Sequence, residues 1–145
     1  MHIEQNIERV MECFEDPYIK ERMARDGSEF KCFKHPAISY LSAGIFGYFI
    51  LIRTLNTEME VHALLREEAA VVSRDLVKNM VKWVFENTDV NRISAPVSNR
   101  LTSVVNLCKK CGFTVDGVMR QQELKGGKLF DVTILSILRG EHVVD

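Results

Sequence analysis

No stretch of this chain stays apolar for long. The longest such run, Ile45 to Ile52, falls far short of the roughly 20 residues that span a bilayer, which excludes a transmembrane helix. Excess charge of either sign is missing too. The net charge is −1, so nothing draws the whole molecule to nucleic acid or to a membrane. No internal repeat, low-complexity tract or Pro/Gly/Ser linker divides the sequence, and residues 1–145 make one ordinary domain. The opening stretch "MHIEQNIERVMECFEDP" lacks the basic start and apolar core of a signal peptide. A cytoplasmic protein with reduced thiols is expected. What is present in quantity is ordinary globular material: 46% hydrophobic and 27% charged residues, enough to bury about two-thirds of the unfolded surface.

The four cysteines, Cys13, Cys32, Cys108 and Cys111, include one Cys-x-x-Cys pair. A zinc ribbon needs a second such pair or two histidines at ligand spacing, and the histidines here stand singly. A thioredoxin-like pair sits at the start of a helix, where the dipole lowers the thiol pKa. Cys108 and Cys111 instead close a helical pattern that Gly112 stops. No metal site is expected, and the pair reads as a helix end.

Apolar spacing predicts a helix over Ile3 to Glu15, interrupted by Pro17, with another turn or two over Tyr18 to Ala24. These form an N-terminal helical segment, residues 1–27. A core over residues 38–141 follows. Ile38 to Ser42, Phe46 to Thr54 and Glu58 to Leu65 read as strands, and Glu60 and His62 share one face of the third. Ser73 is the expected N-cap of a helix whose wide stripe, Leu76, Met80, Trp83 and Val84 widened by Val77, Val81 and Phe85, suggests packing between layers. "NRISAPV" reads as a short strand whose end Pro96 perturbs. Thr102 to Lys110 is a further helix. "FTVDGVMRQQEL", "KGGK" and "LFDVTILSIL" make a hairpin. The alternation in the second half argues for an α/β (α+β) layer structure, a mixed central sheet flanked by helices with a C-terminal β-hairpin.

That order resembles the GNAT N-acetyltransferase fold. The likeness is greatest to the ribosomal-protein N-acetyltransferase branch, through Lys110, Gly112, Phe113, Gly117, Arg120, Gly127, Asp131, Ser136 and Leu138. The resemblance implies acetyl-CoA as cofactor and an amine acceptor. It implies cofactor contacts at Leu64, Arg66, Ala69, Ala70, Val71, Ser73 and Arg74, where the family carries a Gly-rich phosphate loop before its long helix. The sequence departs from that loop. Ala69 and Val71 replace flexible residues, and Glu67 and Glu68 add negative charge, which repels a pyrophosphate. A shifted pairing puts Ser73 and Arg74 at the anion instead. For acid–base work the resemblance points to Glu60 or His62 as base and to Cys108, four residues before Gly112, as proton donor to the leaving thiolate; Tyr40 and Tyr48 are other phenol sources.

A narrower resemblance, through "MEVHALL" and "KWVFENTDVNRISAPV", is to small GNAT-like proteins of tailed bacteriophages, some associated with head assembly in short-tailed phages. It implies a non-catalytic virion assembly factor in the host cytoplasm, with phage structural proteins as partners and a degenerate cofactor site. Leu129 to Leu138 is apolar enough to pair or pack further, as a homodimer would require.

Overall fold

Asn6 decides where the first helix starts. In this computed structural model, which describes residues 1–28 and 31–142, the Asn6 side chain accepts the Glu8 N–H at 3.0 Å and caps α1, Ile7–Cys13. Ile3 is therefore not helical as its spacing suggests. It lies in β1, His2–Ile3, opposite Leu41, and the Glu4 N–H donates to the Tyr40 carbonyl. Pro17 opens rather than breaks: it is the first residue of α2, Pro17–Met23, where its missing N–H has no partner to lose, and Asp16 caps that helix.

The strands β2 (Ile38–Ser42), β3 (Gly47–Leu55), β4 (Glu58–Leu65), β5 (Arg92–Ser98), β6 (Thr114–Lys125) and β7 (Lys128–Leu138) join β1 in one sheet. The order is β1-β2-β3-β4-β5-β7-β6, and only β4 and β5 run parallel. β7 lies inside the sheet and is buried on both faces, by Val132 on one and by Leu135 and Ile137 on the other. The edge available to a second copy is thus β6, which exposes Val115, Val118 and Met119, and not the Leu129–Leu138 stretch.

Helices α3 (Ser73–Asn87) and α4 (Thr102–Lys110) cover one face. The α3 stripe Leu76, Val77, Met80, Val81, Val84 and Phe85 is buried as its period requires, each fully buried aliphatic contributing about 1.5–3 kcal/mol. Its outer side, with Asp75, Lys78, Lys82 and Glu86, is exposed, so α3 lies on a sheet and not between layers. Helices α1 and α2 cover the other face, where Val10, Cys13 and Ile19 meet Tyr40, Tyr48, Ile50 and Leu64.

Helix α4 ends as glycine chemistry dictates. Gly112 has φ 97°, the Phe113 N–H reaches back to the Cys108 carbonyl, and the Gly112 N–H reaches that of Lys109, a Schellman termination. The hairpin turn Gly126–Gly127 has φ 59° and 73°, the paired positive values of a type I′ turn.

Candidate active site

Two strands that should pair stop pairing. β4 and β5 are in register only from Glu58↔Arg92 to Glu60↔Ser94, yet both continue, to Leu65 and to Ser98. Arg92 clamps the closed end, bonding Glu58 at 2.7 Å and Asp116 at 2.8 Å. Beyond it the register dictates which backbone groups are left over. Asn91 and Arg92 donate to the Thr57 carbonyl and Arg66 donates to Phe46. Odd-numbered residues of β4 therefore turn their N–H and C=O toward β5, and even-numbered ones toward β3. Val61, Ala63 and Leu65 face the gap.

Pro96 sits on the other side of that gap, inside β5 rather than perturbing its end; it is paired with Ile134 of β7. The Asn99 N–H points to Asp131 of β7 and that of Arg92 to β4. The alternation aims position 96 at the gap, so proline removes a donor where the neighbouring strand has already left.

A cavity of about 520 Å³ fills the opening and reaches both faces of the sheet. On one side it is lined by Val77 and Met80 of α3 and by Leu107, Cys108 and Phe113; on the other by Tyr18, Ile19, Arg22 and Met23 of α2. His62 lines it, and its Nε2 lies 2.8 Å from Glu60 Oε2. That hydrogen bond, outweighing partial burial, holds the Glu60 carboxyl below its usual range. An ionised Glu60 only accepts, so Nε2 carries the hydrogen, and in the neutral ring the lone pair is on the other nitrogen. The shared strand face expected of the two residues is what brings them together.

Cys108 lines the cavity from α4 but is buried in the main core, and burial pushes its thiol up to about 12. Cys111 points elsewhere, its thiol half-buried with Sγ 3.8 Å from the Arg74 carbonyl. Tyr40 and Tyr48 spend their hydroxyls on the Phe33 carbonyl and on Glu4, and neither lines the cavity.

The phosphate-loop positions are brought near the site in a different conformation from an open loop. Residues Glu67–Val72 wind into a 3₁₀ helix. Two N–H groups here are engaged locally: Ala69 donates to Arg66, and Ser73, the first residue of α3, donates to Ala70. Ser73 is not the N-cap of α3. Val72 holds that position without a side-chain bond, and the Ser73 hydroxyl donates to the Ala70 carbonyl at 3.0 Å. Arg66, Ala69, Ala70 and Ser73 line the main cavity. Ala70, Val71, Ser73 and Arg74 line an adjoining hollow of about 320 Å³ with Ser103 and Lys110. Leu64 is in neither: its side chain is in the second core and its backbone faces β3.

Sequence reasoning missed one constellation. Glu123 is 2% exposed yet lines the cavity. It accepts from Arg100 Nε at 2.6 Å and from the Ser98 hydroxyl at 2.9 Å, and Arg25 lies 3.1 Å away. Burial pushes its carboxyl up, but the hydrogen bonds from Arg100 and Ser98 and the charges of Arg100 and Arg25 outweigh it, leaving it below its usual range. A bulge between Met119 and Glu123 re-aims the strand, with Gln121 at φ 53° and its N–H on Asp131.

The Acetyltransferase (GNAT) domain model matches residues 30–134. The chain belongs to the GNAT acetyltransferase family. An "Uncharacterized N-acetyltransferase p20" of Bacillus licheniformis is 29% identical over 68 residues, 47% of this chain and 38% of that protein; this GNAT chain therefore matches well under two-thirds of that relative's length. Spermidine N-acetyltransferase from Vibrio cholerae, solved in complex with CoA and spermine, superposes with a TM-score of 0.67 at 20% identity, over 74% of this chain and 69% of that one. At that identity the likeness carries the GNAT fold, a mixed seven-stranded sheet flanked by helices. No helix among the described residues is long and apolar enough to cross a membrane.

Proposed function

We propose that this GNAT chain, acting as a single domain, transfers an acetyl group from acetyl-CoA to an amine. The observation that carries the reading is the cavity through the sheet, with unpaired backbone at its edges and His62 held by Glu60 at its wall. The gap-facing groups of Val61, Ala63 and Leu65 suit the amides of an extended pantetheine arm, which would complete the pairing β5 leaves unmade. The amine nitrogen attacks the thioester carbonyl carbon. The C–N bond forms, and the C–S bond breaks with its electron pair going to sulfur. His62 takes the amine proton on the ring nitrogen not bonded to Glu60, which stays ionised and supports the imidazolium. The imidazolium proton then passes through solvent to the thiolate, so the products are an N-acetyl amide and the CoA thiol and His62 returns to its neutral form.

Cys108 is the weaker assignment. A thiol pushed up to about 12 does not protonate a thiolate of ordinary pKa with any driving force. Cys108→Ala is expected to lower unfolding stability by about 1–2 kcal/mol and leave turnover alone; a selective loss of rate in stopped assays would restore the acid role.

A second reading, a non-catalytic assembly factor of the phage kind, is favoured by one observation: the 3₁₀ winding of Glu67–Val72 engages the Ala69 and Ser73 amides, two that a phosphate cradle would offer. In the catalytic reading the side chains of Arg66, Arg74 and Lys110 take over that work. The narrower kinship to the ribosomal-protein branch belongs to that same reading, on the Lys110–Phe113 and Ser136–Leu138 motifs. Calorimetric titration with acetyl-CoA separates the two. Micromolar binding, tightened when Glu67 and Glu68 are replaced by glycine, is the expected result; no heat from the folded protein leaves the assembly reading.

A further inference from the structure

The charge around the cavity is lopsided. Four arginines line it, Arg22, Arg25, Arg66 and Arg100, against one carboxylate, Glu123. Even with Glu60 counted behind His62, cations are in excess. Glu123 is shared by Arg100 and Arg25. Among the described residues, Arg22 and Arg66 have no carboxylate within 4.0 Å: Arg22 lies 4.8 Å over the Tyr18 ring, and Arg66 donates only to the Cys13 sulfur at 3.5 Å. Two acids of the N-terminal segment are engaged elsewhere, although the Glu21 carboxyl, held below its usual range first by Lys125, is also lowered by Arg100 and Arg22. Glu21 pairs with Lys125, and Asp26 accepts both glycine N–H groups of the β6–β7 turn.

The arginines also divide by position. Arg66 adjoins in sequence the residues proposed for the cofactor phosphates, although its guanidinium reaches Cys13 of α1. Arg22 belongs to α2 and Arg25 follows it, on the face opposite α3, where that anion is not expected. Their side of the cavity is where an acceptor meets His62.

Resting on the acyl-transfer reading, we infer that the acceptor is a small amine that also carries a carboxylate, recognised by Arg22 and Arg25, and is not a polyamine. Guanidinium groups take carboxylates through paired N–H donors. A molecule with several ammonium groups meets like charge at every approach, which is how a site rejects a wrong partner. The same cations lower the pKa of the bound ammonium and raise the neutral, nucleophilic fraction.

Acceptors matched except for charge test this. Thiol release from acetyl-CoA is followed with propylamine, β-alanine, glutamate and spermidine. The carboxylate-bearing amines are expected to exceed propylamine and spermidine by about tenfold or more in kcat/KM, a preference that shrinks with added salt. Arg22→Gln and Arg25→Gln are each expected to raise KM for β-alanine severalfold more than KM for propylamine, which has no carboxylate for them to hold. A preference for spermidine, or equal losses on both acceptors, overturns the inference and leaves acyl transfer standing. Thiol release with none of the amines, from protein that binds acetyl-CoA, overturns both.

Discussion

His62→Ala is expected to lower acetyl transfer by about 10²–10⁴-fold, the range that a positioned general base supplies, with acetyl-CoA affinity unchanged. The expectation follows from position. His62 is on a strand whose partner has parted from it, its ring fixed by a 2.8 Å bond to a carboxylate held below its usual range, at the wall of the through-sheet cavity. Its side chain is 23% exposed, so truncation leaves the core intact. Glu60→Gln keeps a hydrogen-bonding group beside the ring but removes the charge that supports the imidazolium, and should cost less. Thiol-release kinetics with a parallel calorimetric titration separates the two terms. Undiminished turnover in His62→Ala would remove histidine from the mechanism.

Arg100→Ala should be the most damaging single change to stability away from the main core, at about 3–5 kcal/mol, because it strands a buried carboxylate. Glu123 is 2% exposed and Arg100 12%, so little solvent screens the pair. The Arg100 guanidinium also donates to the Arg22 carbonyl and ties α2 to β5. Arg25, about half exposed, compensates weakly. The native pair holds Glu123 below its usual range. Its stabilisation is thus complete at neutral pH and is lost as pH falls through that lowered value. With Arg100 gone, burial is left to dominate and pushes the Glu123 carboxyl up, so the deficit of Arg100→Ala relative to the parent should be greatest at neutral pH and shrink as acid protonates Glu123. Urea unfolding of Arg100→Ala and of the double variant Arg100→Met/Glu123→Leu checks this. The double variant should recover most of the loss, and an Arg100→Ala protein as stable as the parent would show that the carboxylate finds another partner.

Much of the scaffold was legible because its signals are local. The α3 stripe, Gly112 after α4 and the paired glycines of the hairpin each state their conformation within a few residues. So does the strand alternation that sets Glu60 beside His62. The errors arose where a competing partner, distant in sequence or in an adjacent turn, overrode the local signal. Ile3 carries helical spacing, but pairing with Leu41 and the Asn6 cap take it into a strand. Ser73 is a good cap by type, but the 3₁₀ turn before it claims its hydroxyl. Leu64 was one residue off in a pattern of period two, which sends its backbone to the wrong neighbour. Glu123 was invisible because a bulge breaks the alternation just before it, and its partners Ser98 and Arg100 are met only across the sheet.

The proline in β5 has a consequence for the chain before any ligand arrives. Two parallel strands with bare facing edges tend to zip together, or to recruit a strand from a stranger. Pro96 faces that seam without an N–H to offer. It jams the zipper two residues past its last closed tooth at Ser94, and it gives an invading strand no N–H to bond there. The same residue that keeps the slot ready for its guest guards the empty protein against sticking to itself.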